Sequence, residues 1–160
     1  MDRADLAVQQ WARERPDLRG LPMAVFGRLN EAAERVTRDH LNPLVARAGL
    51  QAGEFDVLAT LRRSGAPYML SPTQLYEAAM ISSGGMTDRL DRLERAGLVV
   101  RRPDPKDRRG KLIVLTDPGK RLIDEAIGRH VANEERLLLS LTQAEQETLN
   151  ALLKKLIAAL

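Results

Sequence analysis

The chain reads as a mainly α-helical fold with one small β-hairpin, and three observations lead there. Between Ser71 and Gly97, two short helical segments are separated by a turn of a few residues. Directly after Gly97 the spacing of apolar residues changes from the helical period of 3.6 to the strand period of 2. The last helix also carries more leucines at helical spacing than a central core of about 60 residues could cover. The 160 residues fit one domain with appended helices.

The elements follow in order. Ala4–Arg15 predicts a short helix with a weak apolar stripe of Leu6, Val8 and Trp11, ended by Pro16. A Pro/Gly linker spans Asp17–Pro22. A long helix is expected from about Met23 to Leu41, where Val25, Phe26, Leu29, Ala33, Val36 and His40 approximate one face. Pro43 should kink or end it, and Gly49 is a stop signal. Phe55, Leu58 and Leu61 place a helix over Gly53–Arg63, closed by Ser64-Gly65-Ala66-Pro67. Ser71 can cap the next helix, with Pro72 at its first position, running to about Ala79. Ser82 or Ser83 is expected to cap the following one, which ends at Ala96-Gly97.

In that second helix Met86, Leu90 and Leu93 fall on one face, while Ser83, Thr87, Asp91 and Arg95 fall towards the other. Two strands are expected at 98–102 and 111–115, around an exposed tip of residues 103–110. A hairpin alone would not be stable, so it must lean on the helices before it. Thr116-Asp117-Pro118 starts a helix to about Leu139. Thr142 and Glu145 form a capping box for a last helix striped by Leu149, Leu152, Leu153, Leu156, Ile157 and Leu160. Helix, turn, helix and then a basic hairpin is the order of a winged helix-turn-helix. Residues 1–46 then hold an extra N-terminal helix and a first long helix. Residues 50–116 hold the winged region and 117–160 the C-terminal helices.

Composition narrows the chemistry. There is no cysteine, which excludes disulfides, a thiolate nucleophile and a cysteine redox sensor. The two histidines, His40 and His130, lie far apart and suggest no metal site. No apolar run approaches a membrane span, the first ten residues lack an export-signal core, and a cytoplasmic setting is expected. The net charge is +3, yet residues 82–111 hold nine basic against five acidic residues, so the remainder is slightly acidic. A basic stripe of this kind is the footprint of a polyanion binder, and here an α-helix suited to the major groove stands beside a basic ribbon suited to the minor groove. An enzyme would need a nucleophile, an acid/base pair or a cofactor cradle. Gly84-Gly85 is no phosphate loop, and His130 with Asn133 and Glu134 reads as a surface cluster. No catalytic residue and no cofactor is expected, with a small helical enzyme or a protein-interaction module as the alternatives from other classes.

Gly53-Glu54-Phe55-Asp56-Val57-Leu58, the run from Ser83 to Glu94, Gly97-Leu98-Val99 and the wing Asp107-Arg108-Arg109-Gly110 followed by Leu115-Thr116 together resemble the MarR (multiple antibiotic resistance regulator) family of bacterial transcription factors. The resemblance runs from about Met23 to Leu160. Gln51 departs from it, standing where many relatives have a Thr or Ser cap, at a cost in local stability. The resemblance implies a homodimer on double-stranded DNA, its dimerisation helices within 1–46 and 117–160 interlocked as one intertwined domain, with a pseudo-palindromic operator whose half-sites lie about one helical turn apart. The expected DNA contacts are Ser82, Ser83, Gly84, Gly85, Thr87, Arg89 and Arg92 from the second helix, and Lys106, Asp107, Arg108 and Arg109 from the wing. Gly84 and Gly85 are expected in the first helical turn, where small residues let backbone approach DNA. By the resemblance Asp107 holds Arg109, which enters the minor groove. Lys106 and Arg108 are expected on phosphates.

Most of the family answers to a small anionic or aromatic effector. The extra helix with the sole tryptophan is similar to the urate-responsive subfamily, whose ligand set falls on Trp11, Asp56, Arg89 and Arg101. Urate is a planar monoanion at neutral pH. Arginine can answer its charge, indole can stack on it and a carboxylate can accept its ring N–H. The same residues also fit other roles: Trp11 as an apolar anchor, Arg89 on DNA only, and Asp56 paired with Arg101. A phenolic or carboxylate effector is the alternative to urate or a related purine.

Overall fold

The computed structural model describes residues 1–79 and 85–160, excepting the side chains of residues 108 and 109. Its core is built where the chain alternates short helices with a small sheet. Helix α4 (Ala52–Arg63) supplies Phe55, Val57, Leu58 and Leu61. Helices α5 (Pro72–Ala78) and α6 (Met86–Arg95) add Leu75, Leu90 and Leu93, the last two from the face the spacing predicted, with Met86 packed at its edge. Strands β2 (Val99–Asp104) and β3 (Asp107–Leu115) contribute Val99, Ile113 and Leu115. The start of α7 (Asp117–Leu137) closes the cluster with Ile123 and Ala126.

The hairpin does not lean on helices alone. A third strand, β1 (Met69–Leu70), pairs antiparallel with β3, giving the order β1-β3-β2. Two residues give no period to read, so this strand has no signature in the sequence. The hairpin strands also run further than expected. They pair up to Asp104 opposite Asp107, which leaves only Pro105-Lys106 as the turn, and the register then jumps between Pro103 and Asp104. A Cβ on Gly110 would stand 3.0 Å from Asp107 Cβ, so glycine is what lets the chain close there.

The winged region ends in a tight junction. Thr116 caps α7, accepting from the Gly119 N–H at 3.1 Å, while its hydroxyl lies 2.8 Å from Gly97 O and 3.0 Å from Leu98 O. A Cβ on Gly119 would collide with the Leu98 carbonyl oxygen.

The N-terminal helices differ from expectation at their joints. Helix α1 (Arg3–Glu14) is capped by Asp2, and α2 (Gly20–Arg35) begins ahead of the expected Met23. Pro22 sits in the first turn of α2, where no intrahelical donor is needed. Pro43 does not end the long helix. The chain passes through a π-helical segment (Val36–Leu41), in which the Asn42 N–H reaches Thr37 O, and continues as α3 (Asn42–Arg47). The wider turn lets the proline ring follow without meeting the carbonyl four residues back. Helix α1 packs on α2, and Arg28 of α2 holds Asp2 at 2.8 Å and Asp5 at 2.5 Å. The last helix, α8 (Gln143–Ile157), buries no residue. Its Leu152 and Ile157 are 61% and 71% exposed. Leu153 and Leu156 are half-buried, and the rest of the α8 stripe stays open.

Candidate nucleic-acid interface and effector residues

Helix α6 is oriented from below by α4. Arg92 donates from Nε to Glu54 Oε1 at 2.6 Å and from Nη2 to Gln51 Oε1 at 3.0 Å. Glu54, nearly buried, also accepts the Gln51 backbone N–H at 2.8 Å. Gln51 is thus the anchor of an α4–α6 tie rather than a weak substitute for a hydroxyl cap. Arg89 lies against α4 as well, since a Cβ on Gly53 would collide with its guanidinium. Asp56 stands three residues beyond Gly53, on the neighbouring position of the same helical face.

Helix α6 starts later than expected. Its cap is Gly85 with φ +80°, and Met86 is the first helical residue, so Gly85 stands before the first turn rather than within it. Nothing lies within 4 Å of a Cβ built there, and the left-handed backbone is what favours glycine. Ser82, Ser83 and Gly84 lie outside the described residues. Thr87 and Asp88 are exposed at the start of α6, and Arg95 is exposed at its end.

From the other side, the wing grips α6. Arg101 of β2 donates to Asp91 at 2.6 Å and to Glu94 at 2.5 Å, and its backbone N–H reaches the other Glu94 oxygen at 3.0 Å. The Asp91 carboxylate foremost, and then Glu94, holds the Arg101 guanidinium above its usual range against partial burial. The carboxylates on Arg101 are thus Asp91 and Glu94, where pairing with Asp56 was one of the roles left open. Asp91 and Glu94 sit on the helix immediately preceding β2, and the short Gly97 turn brings them to Arg101 first. Lys106 is exposed at the wing tip, where its backbone N–H caps onto Asp104 at 2.8 Å. Asp107 opens β3, and the side chains of Arg108 and Arg109 lie outside what is described.

Of the four effector candidates, Asp56, Arg89 and Arg101 belong to α4, α6 and β2 of the winged core, and Trp11 belongs to α1. Trp11 is 49% exposed on a helix that packs against α2. A separate cavity of about 400 Å³ opens between α3, α4 and α7, walled by Leu44, Val45, Phe55, Leu122 and Ala126 with Arg47, Glu125 and Arg129. None of the four candidates lines it. His130 is no surface cluster: its side chain is 15% exposed, its ring lies 4.9 Å from that of Phe55 and its Nε2 lies 3.0 Å from Glu134. The helical spacing of His130 gave no sign of this, because Phe55 approaches from another element. Sequence reasoning also missed Glu54 and Gln51, whose polar side chains look like ordinary first-turn residues until Arg92 is seen to land on them.

No helix among the described residues is long and apolar enough to cross a membrane, and they hold no cluster of metal-ligating side chains. A sequence profile of the MarR family matches residues 48–110. The chain is 47% identical over 146 residues to the HTH-type transcriptional regulator PecS of Dickeya dadantii, covering 91% of this chain and 87% of PecS. Among solved structures it is similar to Sco3205, a MarR-family regulator from Streptomyces coelicolor in complex with DNA, with 27% identity, a TM-score of 0.79 and 89% of each chain covered. It is also similar to Bordetella bronchiseptica BpsR, whose DNA binding is regulated by 6-hydroxynicotinic acid, with 25% identity, a TM-score of 0.67, and 81% and 98% of the two chains covered. With a helix-turn-helix and wing in place, and a profile, a near-full-length relative and a DNA-bound structural neighbour pointing the same way, the chain belongs to the MarR family of DNA-binding transcriptional regulators.

Proposed function

We propose that this regulator binds a pseudo-palindromic operator as a homodimer, represses from it, and is released by a planar anionic effector of the urate class. The observation that carries the dimer is α8, which buries no residue and leaves Leu149, Leu152 and Ile157 exposed. Two recognition helices related by a two-fold axis then meet successive major grooves. Thr87 and the backbone at Gly85 approach base edges, together with Ser82, Ser83 and Gly84. Lys106 and Arg108 hold phosphates, and Arg109, oriented by Asp107, enters the minor groove.

The test is a salt titration of duplex binding. With about six or more phosphates engaged, log affinity should fall with log salt at about −0.9 per phosphate. A flat salt response, or equal binding of a single half-site by a monomer in sedimentation, would refute this reading. Arg109→Ala should weaken operator binding while leaving the melting temperature unchanged, and Asp107→Ala should do so more mildly.

For the effector, Arg89 rests on Gly53 beside the α4 face that carries Asp56, and Trp11 is half exposed. BpsR, regulated by a hydroxylated N-heterocyclic acid, supports a ligand of this class. An anion that draws Arg89 towards Asp56 and competes for Arg101 pulls on α6 directly and on its tie to the wing. A coupling of about 1–3 kcal/mol between ligand and DNA is expected. Urate should quench the sole tryptophan saturably, with the effect lost in Arg89→Ala. The cavity between α3, α4 and α7 favours a second reading, an aromatic carboxylate answered by Arg47 or Arg129. In that case Arg129→Ala abolishes the ligand response and Arg89→Ala leaves it intact.

A further inference from the structure

Three acids follow one another along α6 at three-residue steps: Asp88, Asp91 and Glu94. Arg101 neutralises the second and third at 2.6 and 2.5 Å. Asp88 is exposed, and among the described residues it has no hydrogen-bond or ion-pair partner. The partner that helical geometry would offer it is Arg92, four residues on. That guanidinium is turned away and committed to Glu54 and Gln51 of α4. Arg95, a turn further, donates instead to the Asp91 carbonyl at 3.2 Å.

A bare carboxylate is thus left in the first turn of the recognition helix, inside the most basic stretch of the chain. The helix dipole favours an acid in that turn in the free protein. On DNA the same charge meets the negative potential of the phosphates, which penalises every sequence alike unless the carboxylate finds a donor. First-turn residues of a recognition helix are those that reach base edges.

In the major groove only the exocyclic amino groups of cytosine and adenine donate. The adenine amino group is flanked by acceptors, its own N7 on one side and thymine O4 on the other. The cytosine amino group has an acceptor, guanine O6, on one side only. A carboxylate therefore sits better on cytosine. We propose that Asp88 is a specificity-determining residue, accepting a hydrogen bond from cytosine N4 at one symmetric position of each operator half-site and repelling sequences that lack it. The proposal rests on the reading of α6 as the helix that enters the major groove.

The test selects duplexes from a randomised pool with the full-length wild type, Asp88→Ala and Asp88→Asn. The wild type should enrich a two-fold symmetric motif with cytosine at one position per half. Replacing that cytosine should weaken wild-type binding roughly tenfold, the size of one base contact. Asp88→Ala should lose the preference at that position alone, keep the rest of the motif and bind unrelated duplex more tightly. Asp88→Asn should shift the preference towards adenine, whose N6 and N7 an amide can bridge. If Asp88→Ala returns the wild-type motif, or weakens all sequences evenly with a lowered melting temperature, Asp88 serves the helix only and the proposal is overturned. If the wild type enriches no motif at all, the operator-binding reading itself fails, an outcome distinct from the first.

Discussion

Single residues carry the joints of this molecule. Gly119 lies where the first turn of α7 crosses the Leu98 carbonyl, which also faces the Thr116 N–H at 3.1 Å. An added methyl meets the Leu98 backbone first, and the Leu115 side chain it also crowds is held in the core. Gly119→Ala should therefore cost about 2–3 kcal/mol through overpacking, read as a lower midpoint in urea with an unchanged slope. A neutral result would mean that the α7 junction gives way easily. Arg101 makes a different kind of joint. Its ion pairs are partly exposed, so Arg101→Ala should cost only about 1 kcal/mol of stability. It removes the tie between wing and recognition helix, and operator footprints should lose wing protection in the flanking minor groove before they lose the central major-groove contacts. The residue types at these joints were readable in the sequence, but their partners were not. Asp56 is as reasonable a partner for Arg101 as Asp91 until the Gly97 turn sets which carboxylate arrives first.

At the level of elements, the sequence was legible wherever period and punctuation agreed. The apolar faces of α4 and α6, the Ser71-Pro72 start and the Thr142 cap all appear where spacing put them. Strand β1 was hidden because two residues show no alternation, and of the two readings of Pro43, a kink or an end, the end does not occur because a π segment accommodates the proline. Helix α1 illustrates an element held by charge more than by burial. Only Ala4 of α1 is buried, and the helix is fixed to α2 by Arg28 on Asp2 and Asp5. The Asp5 backbone N–H first, and then Arg28, holds the Asp2 carboxyl below the usual range. A carboxyl lowered in the folded state contributes stability above the ordinary carboxylate range, and that contribution disappears as pH falls through the lowered value. Below about pH 4, α1 should therefore loosen while the winged core persists. Trp11 on α1 is the sole tryptophan, so its emission should change in acid before the far-ultraviolet circular dichroism does. Coincident transitions would place α1 in the same cooperative unit as the core.

The whole molecule divides its surfaces between two tasks. The hydrophobic cluster runs from Val45 to Ala126 and takes nothing from α1, α2 or α8, although those helices carry Leu21, Val25, Phe26, Leu149, Leu152 and Ile157 in exposed positions. A chain that leaves this much apolar surface uncovered at both ends gains free energy when a second copy covers it, at about 25 cal/mol for each Å² removed from water. Leu152→Glu separates the two tasks. The side chain is 61% exposed in one chain, so the charge disturbs no packing within the protomer. In a dimer it would bury an unpaired carboxylate against apolar neighbours, which shifts the equilibrium towards monomer. Sedimentation should show half the wild-type mass, and the melting temperature should lose the concentration dependence expected of a folded dimer. Operator affinity should fall by about 100-fold or more, because the second half-site no longer benefits from tethering to the first. Single half-site binding, which uses α6 and the wing of one protomer, should change little. If Leu152→Glu stays dimeric and binds the full operator normally, α8 is not the interface, and the exposed residues of α2 become the surface to substitute next.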